Sequence, residues 1–290
     1  MKKNRILAVV LVAVMSIGLL AGCGAKKDEP VSDAAKKNIT IGCFDYSYEI
    51  VESGIPALEA KGYEVEIMEF NDFQSPNRAL DEGQIDCNFY QHLPFLNSFN
   101  SENGTDLYMI EPVMWNPFTG LYSMDCTTVA DIAEGGKVGI SNDPTNVDRA
   151  LKFARDYGLI ELTEAPTSGD FYTPIDIVSN PKNLTFINVN AVDIQRTRDE
   201  YDAYIDSSDN VVMADNDPYQ YLLKDAKGED AVQLNSDFAL GVTVRAEDKD
   251  SQLAKDLLEA FTSQEAIDYV LEKLSGGYVQ SDLFLEFLKK

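Results

Sequence analysis

The sequence predicts an α/β fold built as two lobes around a cleft. Three observations lead there. Strand-like and helix-like segments alternate in two successive series, the second starting after Gly120-Leu121-Tyr122-Ser123. A further strand and two helices follow at the carboxyl end. Removing the first 22 residues leaves 268, enough for two domains of ordinary size. Such alternation builds βαβ units on a largely parallel sheet. Two such units leave a crevice where strand ends and helix N-termini converge, and ligands favour that place.

In the first series Ile39–Cys43 reads as a strand and Glu49–Lys61 as a helix, with Ile50, Val51, Ile55 and Leu58 at helical spacing. Gly54 and Pro56 are expected to shorten or kink it. Tyr63–Phe70 alternates as a strand, Pro76–Glu82 is helical, Ile85–Phe89 extended, Pro94–Asn100 helical and Leu107–Pro112 extended. In the second series Val129–Ala133 is a short helix, Lys137–Ile140 a strand and Pro144–Tyr157 a strong helix with proline in its first turn. Thr163–Pro181 reads as loop, Leu184–Val189 as a strand, and either Ala203–Ile205 or Val211–Met213 as another. Phe238–Arg245 gives one more strand, followed by helices over Ser251–Thr262 and Gln264–Leu274. Lobe 1 is thus expected over 38–117 and 238–290, and lobe 2 over 118–237.

The amino terminus decides the expected compartment. Lys2, Lys3 and Arg5 precede Ile6–Gly22, a charge-free run of 17 residues, short of the roughly 20 that span a bilayer. It ends Leu20-Ala21-Gly22-Cys23, a small-residue cleavage pattern with cysteine at the cut. Length and pattern favour a cleaved leader (1–22) over an uncleaved anchor. The pattern resembles a bacterial lipobox, which implies acylation of Cys23 and a protein anchored by lipid to the cell membrane, facing away from the cytoplasm. Residues 23–37 read as a polar tether. Losing the leader's three cations leaves 21 basic against 49 acidic side chains, a formal −28. A surface so acidic repels phosphate backbones, so nucleic acid is excluded as a partner. Cys43, Cys87 and Cys126 are widely spaced and odd in number, and read as buried small hydrophobes.

Nothing specific points to catalysis. His92 is the one histidine, which leaves no partner for a zinc site, and no GxSxG, P-loop or HExxH motif occurs. Neither a metal nor a cofactor is expected. Asp206–Asn210 and Asp215-Asn216-Asp217 are oxygen-rich but lack EF-hand spacing, and read as solvated loops. Two constellations stand out. Asn88-Phe89-Tyr90-Gln91-His92-Leu93-Pro94-Phe95-Leu96 follows a strand and offers aromatic walls with directional donors; equally, His92 caps a helix while the aromatics fill a core. Ser141-Asn142-Asp143-Pro144-Thr145-Asn146-Val147-Asp148-Arg149 opens a helix. A helix N-terminus attracts anions, and arginine grips a carboxylate through two parallel hydrogen bonds. An ordinary surface pair of Asp148 with Arg149 is the alternative, though neighbours on a helix point different ways.

The run Glu69-Phe70-Asn71-Asp72-Phe73-Gln74-Ser75-Pro76-Asn77-Arg78-Ala79-Leu80-Asp81-Glu82-Gly83-Gln84-Ile85-Asp86-Cys87-Asn88-Phe89-Tyr90-Gln91-His92 resembles the NlpA family of substrate-binding lipoproteins. Asn142–Asn146 with Arg149, Asp176-Ile177-Val178 and Asn180–Leu184 are similar to further family motifs, and Pro117–Ser123 to the family's crossing strand. The similarity spans nearly all of residues 39–280, in the family's order.

The resemblance implies a two-lobed, periplasmic-binding-protein-like fold (type II, venus-flytrap) without enzymatic activity. Such a protein captures an amino acid, methionine or a related α-amino acid, between its lobes and delivers it to an ABC permease in the membrane. By the same resemblance Tyr90, His92 and Arg149 contact the ligand, Arg149 through its α-carboxylate, with Asn146 as helper and Trp115 as an apolar wall. The family's Ile-Asn-Gly-Asn run aligns here with Val212–Asp217, which puts Ala214 in place of one asparagine and retains Asn216. Leu240 replaces a second ligand-facing asparagine. An alternative of another class is a surface lipoprotein or adhesin that uses the same fold without transport.

Overall fold

A computed structural model describes residues 37–218, 220–224 and 237–290 of the chain. The expected leader, Cys23 and all of the tether but its last residue lie outside the described residues. The first lobe begins with β1 (Lys37–Cys43), α1 (Asp45–Ala60), β2 (Tyr63–Glu69), α2 (Ser75–Asp81), β3 (Cys87–Asn88), α3 (Leu93–Asn103) and β4 (Tyr108–Met109). After β5 (Trp115–Asn116) come β6 (Thr119–Tyr122), β7 (Lys137–Ser141), α4 (Pro144–Asp156), β8 (Glu161–Leu162), β9 (Ile177–Ser179), β10 (Thr185–Val189), β11 (Ala203–Ser207), α5 (Ser208–Met213) and β12 (Tyr221–Lys224). The chain closes with β13 (Thr243–Val244), α6 (Gln252–Phe261), α7 (Gln264–Lys273), β14 (Val279–Gln280) and α8 (Asp282–Phe287).

These strands form two five-stranded sheets, ordered β2-β1-β3-β13-β4 and β10-β7-β11-β6-β12. In each, three neighbouring strands run parallel and the remaining two join antiparallel. The parallel part follows from the βαβ crossovers, which place a helix against the sheet and read as apolar strands. Ile39, Ile41 and Cys43 of β1 accordingly sink into one core with Ile50, Val51 and Leu58 of α1. Val138 and Ile140 of β7 sink into a second with Val147, Leu151 and Ala154 of α4. The α/β, two-lobed expectation is met.

Helix α1 starts a turn earlier than periodicity indicates and runs unbroken past Pro56. Asp45-Tyr46-Ser47-Tyr48 lacks aliphatic residues, yet Ser47 Oγ accepts from Phe44 N at 3.2 Å and closes the first turn. Gly54 is required by contact: a Cβ there would lie 2.5 Å from the Phe261 ring, so its absence lets α6 seat on α1. Between the two strand candidates near residue 205, β11 is extended and Val211–Met213 is helical. Tyr204 finds partners on both sides, Gly139 in β7 and Tyr122 in β6, whereas Val212 and Met213 turn toward the first core. The expected loop 163–181 holds β9, organised by a carboxylate rather than by apolar periodicity. Asp176 accepts from Thr167 Oγ1 at 2.5 Å and from Thr173 N and Thr167 N, each at 2.8 Å, and these bonds pull its pKa down to about 2. The strand expected over Phe238–Arg245 shrinks to β13 and a bridge at Leu240, which pairs with His92 and Trp115.

Cys43 and Cys87 are buried and Cys126 half-buried, all three as free thiols. Among the described residues no helix is long and apolar enough to cross a membrane.

Candidate ligand-binding site

Two strand-to-helix turns meet between the lobes. From β3 the chain runs through Tyr90 and Gln91 to His92, whose extended backbone makes it the cap of α3. Its Nδ1 accepts from Phe95 N at 3.1 Å, and Pro94 fits the first turn, where an N–H would have no helical partner. That bond selects the tautomer: Nδ1 is the acceptor, so Nε2 carries the proton and donates to Asn146 Oδ1 at 3.2 Å. Burial and the nearby Arg149 charge lower the His92 pKa to about 4, so the ring is neutral at ordinary pH.

In the second lobe β7 leads to Asp143, which caps α4 by accepting from Asn146 N at 2.9 Å. Ser141 Oγ, Thr145 Oγ1 and Asn146 Nδ2 also donate to it, at 2.5, 2.8 and 2.8 Å. Asn146 is thereby fixed at both ends of its amide, its nitrogen on Asp143 and its oxygen on His92. Three residues further along the same helix face, Arg149 Nη2 donates to Pro117 O at 3.1 Å. Its guanidinium lies 4.3 Å from the Phe238 ring centroid, a cation–π distance.

These groups line a cavity with walls from both lobes. Tyr46, Phe73, Tyr90 and His92 come from the first; Asn146, Arg149, Asp206 and Asp209 come from the second. Tyr90 shows the cavity its ring, because its hydroxyl is engaged with Phe73 O at 2.8 Å. The enclosed space is about 70 Å³, well under the roughly 300–1,000 Å³ of ordinary ligand pockets. A ligand of amino-acid size therefore requires the walls to part. A larger groove of about 640 Å³ lies beside Asp45, Glu69, Asp72 and Glu82. It is an open, largely acidic surface to which Val192 also contributes, and the smaller cavity is the better candidate because it brings buried donors, acceptors and a cation together.

Four of the residues singled out by sequence, Tyr90, His92, Asn146 and Arg149, stand together here. Trp115 and Asn216 do not line the cavity. Trp115 is 1% exposed, with its indole edge-on to Phe284 in the first core. Asn216 stands behind the wall, donating to Gln195 Oε1 at 3.3 Å, and Gln195 in turn donates to Asp206 Oδ2 at 2.7 Å. Leu240 lines the cavity, whereas Ala214 borders a neighbouring hollow with Gln195 and Arg196.

The expectation that Asp206–Asn210 is a solvated loop is overturned. Asp206, Ser208 and Asp209 are buried at the end of β11 and the start of α5. Asp206 Oδ1 accepts from Ser207 N at 2.8 Å and Asn210 Nδ2 at 2.9 Å. Asp209 accepts from Asn210 N and Tyr278 Oη, both at 2.9 Å. Burial raises both pKa values, that of Asp206 to about 7, with the hydrogen bonds opposing. The signal available in the sequence was position: the run follows directly on the apolar Tyr204-Ile205, at a strand's carboxyl end.

The chain is 30% identical over 264 residues to the D-methionine-binding lipoprotein MetQ of Salmonella typhimurium, covering 90% of this chain and 92% of that one. A nutrient-binding protein from Burkholderia cenocepacia, solved bound to methionine, superposes with a TM-score of 0.76 at 28% identity, covering 84% and 99% of the two chains. A periplasmic substrate-binding protein of an ABC transporter from Coxiella burnetii gives 0.75 at 27% identity, over 84% and 100%. The model of the NlpA lipoproteins matches residues 39–281, and the chain belongs to that family.

Proposed function

We propose that the protein is the solute-binding lipoprotein of an ABC importer and captures a free amino acid, methionine or a close relative, between its lobes. Cys23 carries the lipid, the tether leads outward from the membrane, and a permease in that membrane receives the ligand. Lobe 1 comprises 38–117 with 238–290 and lobe 2 comprises 118–237. The protein binds and releases its ligand without altering it.

The observation that carries this reading is Arg149, aimed into a cavity shared by both lobes and held by Pro117 O and the Phe238 ring. A guanidinium presents five N–H groups in a planar fork, the geometry that matches the two oxygens of a carboxylate. Tyr90, His92 and Asn146 supply the surrounding wall. Trp115 and Asn216 support that wall from behind. The Salmonella and Burkholderia relatives named for methionine favour the same ligand class.

Mass spectrometry of whatever copurifies with the protein, followed by thermal titration with the common amino acids in both D and L forms, tests the assignment. A ligand present at 100 times its dissociation constant should stabilise the fold by about 2.7 kcal/mol. Absence of a thermal shift with every amino acid would sink the reading. For the anchor, a Cys23→Ala protein should no longer incorporate labelled palmitate, and persistent labelling would refute it.

A further inference from the structure

The cavity is charged unevenly. Among its described lining residues Arg149 is the one permanent cation, while Asp206 and Asp209 are its carboxylates. Both are buried, at 7% and 4% exposure. The groups that donate to them are neutral: Gln195, Asn210 and a backbone N–H to Asp206, and Tyr278, the Ser207 side chain and a backbone N–H to Asp209. Neutral donors satisfy lone pairs but return little of the countercharge that a carboxylate loses in a poor dielectric.

The placement is local and specific. β11 delivers Asp206 at its carboxyl end, and one turn of α5 brings Asp209 to the same cavity. Arg149 reaches that space from α4, and its charge favours the ionised form of Asp209. Cation and carboxylates thus share one enclosed volume, the arrangement that suits a zwitterion.

Resting on the amino-acid reading above, we infer that Asp206 and Asp209 form an anionic pole that recognises the ligand's free ammonium group while Arg149 takes its carboxylate. The pole selects free α-amino acids against molecules of equal size that lack the positive charge. Desolvation of both carboxylates supports this, since an incoming ammonium returns the countercharge that burial removed. Ammonium recognition accordingly belongs to the second lobe alone. The first lobe contributes Tyr46, Phe73 and Tyr90 around the remainder of the ligand.

The test uses calorimetric titration of the full chain and of Asp206→Asn and Asp209→Asn with three probes: methionine, N-acetylmethionine and the des-amino acid 4-(methylthio)butanoate. Wild type should bind methionine at least a hundredfold more tightly than either analogue. Each variant should lose at least tenfold for methionine while its affinity for the des-amino acid stays within threefold of wild type. Circular dichroism checks that the variants fold, and the wild-type comparison stands even if they do not. Equal wild-type affinity for methionine and its des-amino analogue would overturn the inference and leave the carboxylate-binding reading intact. Equal losses for both probes in the variants would also overturn it, as damage to the fold. No binding of any of the three would remove the amino-acid reading and the ammonium pole together.

Discussion

The two turns that face each other across the cavity use the same device with opposite electrical character. In the first lobe His92 ends a strand and caps α3; in the second Asp143 does so for α4, and each helix carries proline in its first turn. The neutral cap sits among aromatic rings, with Phe95 and Phe238 edge-on to it. The charged cap anchors a helix that presents Asn146 and Arg149. One geometric solution therefore yields an apolar wall on one side and a polar, ion-reading wall on the other. Binding should draw its charge recognition from the second lobe and its shape from the first, with the His92–Asn146 bond as one contact between them.

The sharpest test of that division is Arg149→Ala. A desolvated carboxylate left without its partner should cost about 2–5 kcal/mol of binding, roughly thirtyfold to several thousandfold. Arg149→Lys should recover only part, because a point charge cannot reproduce the planar fork. Affinity within twofold of wild type in the alanine variant would assign Arg149 to structure instead of recognition.

The two lobes should also differ in how acid affects them. Free imidazole titrates near 6.5, but folded His92 stays neutral down to about 4, so the unfolded chain takes the proton first as pH falls. Its contribution to stability rises with pH across that window. Asp206 has the opposite sign: the folded carboxyl keeps its proton up to about 7 and the unfolded one loses it near 3.8. Its contribution falls as pH rises between those values, by on the order of a few kcal/mol. Asp206→Asn should consequently gain in Tm relative to wild type as pH goes from 4.5 to 7. A difference that does not vary with pH would mean that Asp206 titrates normally.

The smallest effect is expected for Tyr90→Phe. The hydroxyl is spent on Phe73 O, so ligand affinity should change less than threefold, while the lost bond costs about 0.5–1.5 kcal/mol of stability. A tenfold loss of affinity, read by the same calorimetry, would show that the hydroxyl turns to the ligand and that the first lobe also recognises polarity.

Much of this was legible before any coordinates. Helical spacing and strand alternation located β1, β2, β7, α4 and α6, because each buries an apolar face. The Tyr90–His92 and Asp143–Arg149 turns were visible because caps and first-turn prolines leave a local signature. What escaped depends on partners distant in sequence. The burial of Asp206 and Asp209 depends on Gln195 and Tyr278, and a run of Asp, Ser and Asn carries no mark of such neighbours. Trp115 was expected to line the cavity, but its place is decided by β14 and Phe284, more than 160 residues away in the chain. Very short pairings such as β5 with β14 have too few residues to show a period at all.

Cys43 and Cys87 lie on adjacent strands of the first sheet, where Ile41 pairs with Cys87. Burial pushes the Cys43 thiol up to about 12 and raises that of Cys87 as well. Attack on a disulfide requires a thiolate, and these sulfurs hold their protons at every physiological pH. The sheet can therefore be assembled and kept without an oxidase or an isomerase, and its central strands are insulated from the redox potential of whatever compartment surrounds them.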